Sequence, residues 1–383
     1  MDFTALKNYL DHIDKNLIPS LRIAVNVDNK NVFEYFTARE DIYEEEKDKE
    51  LYYLFSASKV ITCAAAMRLY EEGLLDLEAP VSKYLPEFEE LYIANEIADC
   101  NRSIDKTTMK KATKTMLVRH LMSMEGGLTY SLGNPEILKI KEETNNKATT
   151  RQIASAIAKM PLLFEPGENY SYSLCHDVLA AVIEVVAQKS FGEYLHEVIF
   201  DPLGMKDTFF LPDENQLKRM HKQFSVLPEK SVAVEHEPRC IYALSECHES
   251  GGAGMVSTKD DYLKFASCLA NGASPDGYVL LKPETIKKMT TSHLGSYSDT
   301  FLKTWKPGYT YALGVRVLVD PAAAHSLSPV GEFGWDGAAG CYTLIDPSKK
   351  VSCIFTMHVL GCGYCYSTVH PTIRNLIYEC IEK

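Results

Sequence analysis

The chain has 383 residues, of which 46% are hydrophobic and 24% charged, and a formal net charge of −12. This is the composition of a soluble globular protein with ample core in one or two domains, and its acidic balance argues against nucleic acid or an anionic membrane as partner. The eleven cysteines are an odd number, and the start Met1-Asp2-Phe3-Thr4 lacks the basic and apolar regions of a signal peptide, so reduced thiols and a cytoplasmic location are expected.

Leu6, Tyr9, Leu10 and Ile13 fall on one face of an N-terminal helix, which should pack on a sheet. Arg22 to Val27 and Val32 to Phe36 read as a hairpin turned at Asp28-Asn29-Lys30-Asn31. Glu40 to Glu50, with seven carboxylates and two lysines, reads as a solvated loop.

The rest of the chain is organised around Leu54-Phe55-Ser56-Ala57-Ser58-Lys59-Val60-Ile61. Val60, Ile61, Ala64, Ala65, Met67 and Leu69 make a largely buried helix that Gly73 stops. Ser56 then sits at the helix N-terminus, where free N–H groups and the macrodipole favour negative charge. Lys59 lies one turn on, with its amine returning beside the hydroxyl. Desolvation there lowers a lysine pKa, as a base that activates a hydroxyl requires. A helix N-cap is the plainer role for Ser56. The second Ser-x-x-Lys, Ser103 to Lys106, lies in a polar run and reads as solvated loop.

From Leu75 to about Cys240 strand patterns are scarce and helical ones dominate. Val118 to Met124 ends at Gly126-Gly127, and Arg151 to Met160 ends at Pro161. Arg102 to Lys114, with five basic residues and one acid, reads as a surface helix or lid rim. Pro166-Gly167 forces a turn, and a short exposed stretch then delivers Tyr172 just before a buried helix from Asp177 to Lys189. A phenol near a lysine cation can favour its phenolate and act as a second base. Tyr130-Ser131-Leu132 repeats the tripeptide Tyr172-Ser173-Leu174, but follows a Gly-Gly loop.

After Gly251-Gly252-Ala253-Gly254, Asp260 to Ala270 is an amphipathic helix. Strands follow at Tyr311 to Val319, Ala339 to Ile345 and Val351 to Val359, and Pro371 to Ile381 closes the chain as a helix. Small residues in Phe333-Gly334-Trp335-Asp336-Gly337-Ala338-Ala339-Gly340 let a substrate carbonyl approach the backbone. The N–H groups of Ser56 and Ala338 could bind the oxyanion of a tetrahedral intermediate. Lys306-Pro307-Gly308 is set aside, since a proline cannot donate from a strand lining the site.

The predicted fold is α+β. An antiparallel sheet built from both chain termini, flanked by helices, spans 1–74 and 246–383, and a mainly helical domain, 75–245, is inserted. The seam between them is the expected site.

In chain order, Ser56-Ala57-Ser58-Lys59, Tyr172-Ser173-Leu174 and Trp335-Asp336-Gly337 resemble the three motifs of the serine β-lactamase and penicillin-binding-protein superfamily. The resemblance is closest to the class C β-lactamase-like esterases, the family VIII carboxylesterases, and spans roughly residues 15 to 380. Arg119-His120-Leu121-Met122, Asp201-Pro202-Leu203-Gly204-Met205 and Gly251 to Thr258 agree with it. Trp335 stands where the lactamases and peptidases carry the lysine of a Lys-Thr-Gly-type triad. Leu174 stands where they usually carry asparagine. Both changes replace polar recognition of an anionic amide substrate by apolar surface.

The resemblance implies a serine hydrolase of small or medium carboxylic esters, with Ser56 as nucleophile and Lys59 and Tyr172 as base. Ser56 and Ala338 form the oxyanion hole, and Trp335, Asp336, Gly337 and Leu174 contact substrate. An acyltransferase uses the same residues. The competing readings are a β-lactamase or D-amino-acid peptidase and a non-catalytic binding domain. No cofactor or metal is called for: His196-Glu197-Val198-Ile199-Phe200 misses the zinc pattern at its last position, and Cys362-Gly363-Tyr364-Cys365 lacks a second pair. The expected partner is a small-molecule ester, with oligomeric state left open.

Overall fold

Strands from the two ends of the chain meet in one seven-stranded sheet, in the computed structural model that describes residues 1–227, 231–292, 294 and 304–382. Its order is Tyr309–Tyr311, Arg316–Leu318, Phe333–Gly334, Tyr342–Asp346, Val351–Thr356, Ser20–Val27 and Lys30–Ala38. Every neighbouring pair is antiparallel. The junction of the two termini pairs Ile23 with Phe355 and Val25 with Cys353.

Alternation along these strands separates two cores. Leu21, Ile23 and Val25, with Val351, Cys353 and Phe355, pack with the terminal helices Thr4–Asp11 and His370–Glu382. Ala24 and Ile354 point the other way, into the larger core that holds the helix Lys259–Asn271. Ser267 of that helix bonds the Ser352 hydroxyl at 2.7 Å and accepts from the Asn26 amide at 2.8 Å, so the polar positions of that face are satisfied.

Two helices carry the larger core towards the site. Ser58–Glu71 buries Val60, Ile61, Ala64, Ala65 and Met67, and Cys175–Ala187 buries all of its first nine residues. Each large aliphatic side chain removed from water contributes about 1.5–3 kcal/mol. With apolar residues on most faces, neither helix would persist outside this packing. Among the described residues no helix is long and apolar enough to cross a membrane.

Several local expectations are corrected. Tyr311 to Val319 is a tight hairpin rather than one strand, turned at Gly314, whose φ is +83°. A Cβ there would stand 2.2 Å from Cys63 Sγ, so the turn presses directly on the Ser58–Glu71 helix. The acidic stretch after Ala38 is helical over Glu40–Glu46 rather than a solvated loop. Glu46 is its anchor: fully buried, it lies 2.5 Å from His221 Nδ1 and accepts from the Ser20 hydroxyl at 3.2 Å. The basic stretch 102–114 is no helix; Lys110–Lys111 pairs with Tyr92–Ile93, and its lysines meet Glu90, Glu165 and Glu168. Gln223–Leu227 and Val232–His236, inside the supposedly strand-poor region, form a hairpin beside Val359–Leu360.

Candidate active site

Ser56 lies in the turn Phe55–Ala57 that leads into the Ser58–Glu71 helix. The strand Tyr52–Tyr53 before it is pinned to Met255–Ser257. Phe55 has φ of +48°, a left-handed conformation that costs a bulky residue about 1–2 kcal/mol. The cost is met by packing, because the Phe55 ring is buried beside Tyr53, Tyr242 and His358. Lys59 is wholly buried, and its amine donates to Ser56 Oγ at 3.2 Å, Tyr130 OH at 2.8 Å and Gly252 O at 2.7 Å. Burial draws that amine from its usual 10.5 down to about 7, against the opposing attraction of the Asp177 carboxylate.

Two phenols flank this pair. The Lys59 amine stands 4.6 Å from the centroid of the Tyr172 ring. Tyr172 OH accepts from Trp335 Nε1 at 2.8 Å and also bonds Ser56. The phenolate expected from a neighbouring lysine cation is not favoured: burial pushes the Tyr172 phenol above its usual value, and its hydrogen bonds only partly oppose that. Tyr172 is therefore a neutral hydroxyl held between Ser56 and Trp335. Tyr130, whose tripeptide had the weaker context, takes the Lys59 hydrogen bond, and its ring lies 5.5 Å from that of Tyr172. The duplicated Tyr-Ser-Leu was the available signal.

Across the cleft, Gly337 N donates to Cys341 O at 2.8 Å and Gly340 N to Gly337 O at 2.9 Å. Neither bond uses the Ala338 N–H, and Ala338 and Ser56 line the same cavity. Gly337 is obligatory, since a Cβ would stand 2.2 Å from Leu54 O, two residues before Ser56. The Tyr366 hydroxyl ties the loop down, bonding Gly337 O at 2.8 Å and Ala338 O at 2.7 Å. Tyr366 carries no local sequence signal.

One expected substrate contact is corrected. Leu174 is fully buried at the N-cap of Cys175–Ala187 and is absent from the cavity wall, because its side chain joins the core beneath that helix. Asp336 reaches the cavity wall, but its carboxylate is taken up by Lys306 at 2.6 Å and Arg316 at 3.0 Å. Lys306, of the discarded Lys-Pro-Gly, thus places a cation directly behind Trp335-Asp336-Gly337. The remaining lining is aromatic: Tyr130, Tyr172, Tyr242, Trp305, Trp335 and Tyr366 enclose about 190 Å³ beside Ser56. That volume suits a short acyl group, and such walls offer a charged substrate no counter-ion. A hydroxyl beside a partly neutral amine, facing backbone N–H groups, has the parts needed for acyl transfer.

Comparison with known proteins agrees in extent. A family model described as Beta-lactamase matches residues 6–361. Esterase EstB of Burkholderia gladioli is 29% identical over 332 residues, covering 80% of this chain and 76% of its own. Acyltransferase calJ of Penicillium decumbens is 26% identical over 349 residues, covering 84% and 77%. Among solved structures, EstCE1, described as a hydrolase with promiscuous acyltransferase activity, superposes with a TM-score of 0.74 at 24% identity and covers 96% of each chain.

Proposed function

The chain belongs to the beta-lactamase family, and we propose that it is a serine esterase for small carboxylic esters, working through an acyl-enzyme on Ser56. One observation carries the reading: a buried amine held near pKa 7 lies 3.2 Å from the Ser56 hydroxyl.

Neutral Lys59 takes the Ser56 proton as Oγ bonds to the ester carbonyl carbon. The N–H groups of Ser56 and Ala338 hold the oxyanion. On collapse the C–O bond to the alcohol breaks, and the proton returns from Lys59 to the leaving oxygen through Tyr172 or Tyr130. Water then attacks the acyl carbon by the same route, giving the carboxylic acid and free Ser56. The aromatic wall and the engaged Asp336 carboxylate favour an uncharged ester over a β-lactam or peptide carboxylate.

A second reading, transfer of the acyl group to an alcohol or amine, uses the same residues and is favoured by the cavity's largely apolar wall. Incubation with p-nitrophenyl acetate or a fluorophosphonate should add one acyl or phosphonyl mass to the intact protein and none to Ser56→Ala. An unmodified wild-type mass would overturn the esterase reading. The ratio of acid to transfer product with added alcohol separates hydrolysis from transfer.

A further inference from the structure

A second cavity, of about 370 Å³, shares Trp305 and Tyr366 with the ester pocket. Among the described residues three cations line it: Lys306, Arg316 and Arg374. All three are at least nine-tenths buried. Their carboxylate partners are two. Asp336 takes Lys306 and Arg316, and Glu332 takes Arg316 at 3.3 Å. Among the described residues the direct acceptors of Arg374 are neutral: Tyr309 OH at 3.0 Å, which itself donates to Glu332 Oε2 at 2.6 Å, Ala324 O at 3.0 Å, His325 O at 3.1 Å and Asn375 Oδ1 at 3.2 Å. His370 adds no charge, because burial holds its imidazole neutral. Among the described residues one positive charge is left over in a place where an unbalanced charge is costly.

Two donors on the same wall also lack acceptors. Arg316 Nε and the Tyr342 hydroxyl are buried without a hydrogen-bond partner among the described residues. Burial pushes the Tyr342 phenol well above its usual value, so it keeps its proton. Buried donors of this kind are rare in native proteins and ask for an occupant. Water would satisfy the donors but not the charge; a metal ion would worsen the charge; an apolar ligand would leave both donors orphaned.

We propose that this cavity binds a small oxyanion, a carboxylate or a phosphate, drawn by the excess charge of Arg374 and bonded by Arg316 and Tyr342. The occupant lies outside the ester pocket, and the proposal stands whether or not Ser56 is acylated. A carboxylate could be the acid that ester hydrolysis releases; a phosphate would come from solution.

The test uses the full chain with sodium acetate, sodium phosphate and, at matched ionic strength, sodium chloride, followed by thermal melting and titration calorimetry. Acetate or phosphate, but not chloride, should raise the melting temperature saturably. Tyr342→Phe removes only the unpartnered hydroxyl, so it should fold as the parent does and weaken binding about threefold to tenfold. Arg374→Gln should weaken it at least about tenfold. Neither residue lines the ester pocket, so an anion held at Ser56 would bind both variants unchanged. No saturable shift beyond chloride, or a shift intact in Tyr342→Phe, overturns the proposal. If Arg374→Gln does not fold, Tyr342→Phe decides alone. Whichever salt loses affinity in the variants identifies the occupant's class.

Discussion

At pH 7 a lysine with a pKa of about 7 is half unprotonated, whereas an exposed one is almost entirely charged. Esterase activity should therefore rise with pH along an acid limb near 7, as Lys59 loses its proton. Burial sets where that limb falls, and Asp177 opposes it. Its carboxylate attracts the Lys59 cation and raises the amine pKa, while burial lowers it. Asp177→Asn removes the attraction and keeps an acceptor for the Ser250 hydroxyl, which bonds Asp177 at 2.5 Å. The amine pKa should then fall, moving the acid limb of kcat/KM down by about one pH unit. A profile for p-nitrophenyl acetate whose limb stays in place in Asp177→Asn would separate the limb from Lys59.

The elements that hold the site act through contacts much shorter than the distances they span in sequence. Gly337 couples the loop after Phe333–Gly334 to the turn at Ser56, with no room for a methyl group against Leu54 O. Gly337→Ala should push the two apart, and misplacement by about 1 Å costs roughly a hundredfold in rate. We expect kcat/KM to fall by about that factor while the far-UV circular dichroism is unchanged; near-parental activity would show that the loop yields without moving Ala338. The same contrast between near and distant contacts explains which features were legible in the sequence. Ser56 and Lys59 are three residues apart where a turn runs into a helix, so spacing together with the apolar run that follows pairs them, as spacing alone does not for Ser103 and Lys106. The terminal strands alternate with period two, so the sheet could be read. Tyr130 and Tyr172 carry identical tripeptides, and only the folded chain decides which hydroxyl meets the amine. Leu174 was misplaced because a cap residue beside a pocket and one beneath it read alike. Lys306 and Tyr366 act on the Trp335 loop through partners that no local pattern links to it. Glu46 was hidden in a run of like charges, its burial fixed by His221, 175 residues away.

For the molecule as a whole, the pocket is an assembly of the entire chain. Ser56, Tyr130, Tyr172, Tyr242, Trp335 and Tyr366 come from six separate segments. The sheet beneath it also closes only when the N-terminal strand pairs with Val351–Thr356. Contacts this distant in sequence form slowly, and chains of this size commonly fold through intermediates. The two tryptophans of the chain, Trp305 and Trp335, both stand in the pocket wall, with ring centroids 6.2 Å apart. Tryptophan emission therefore reports on the pocket rather than on the helices. After dilution from urea, far-UV circular dichroism should recover most of its amplitude first. Trp335 emission, isolated in Trp305→Phe, should follow over seconds or longer and in step with esterase activity. The 2.8 Å bond from Trp335 Nε1 to Tyr172 gives that late signal a structural meaning, since it forms only when the helical region has docked on the sheet. Coincident dichroism and emission traces would mean that the seam closes as the helices form, and that the site is part of the folding nucleus instead of its last consequence.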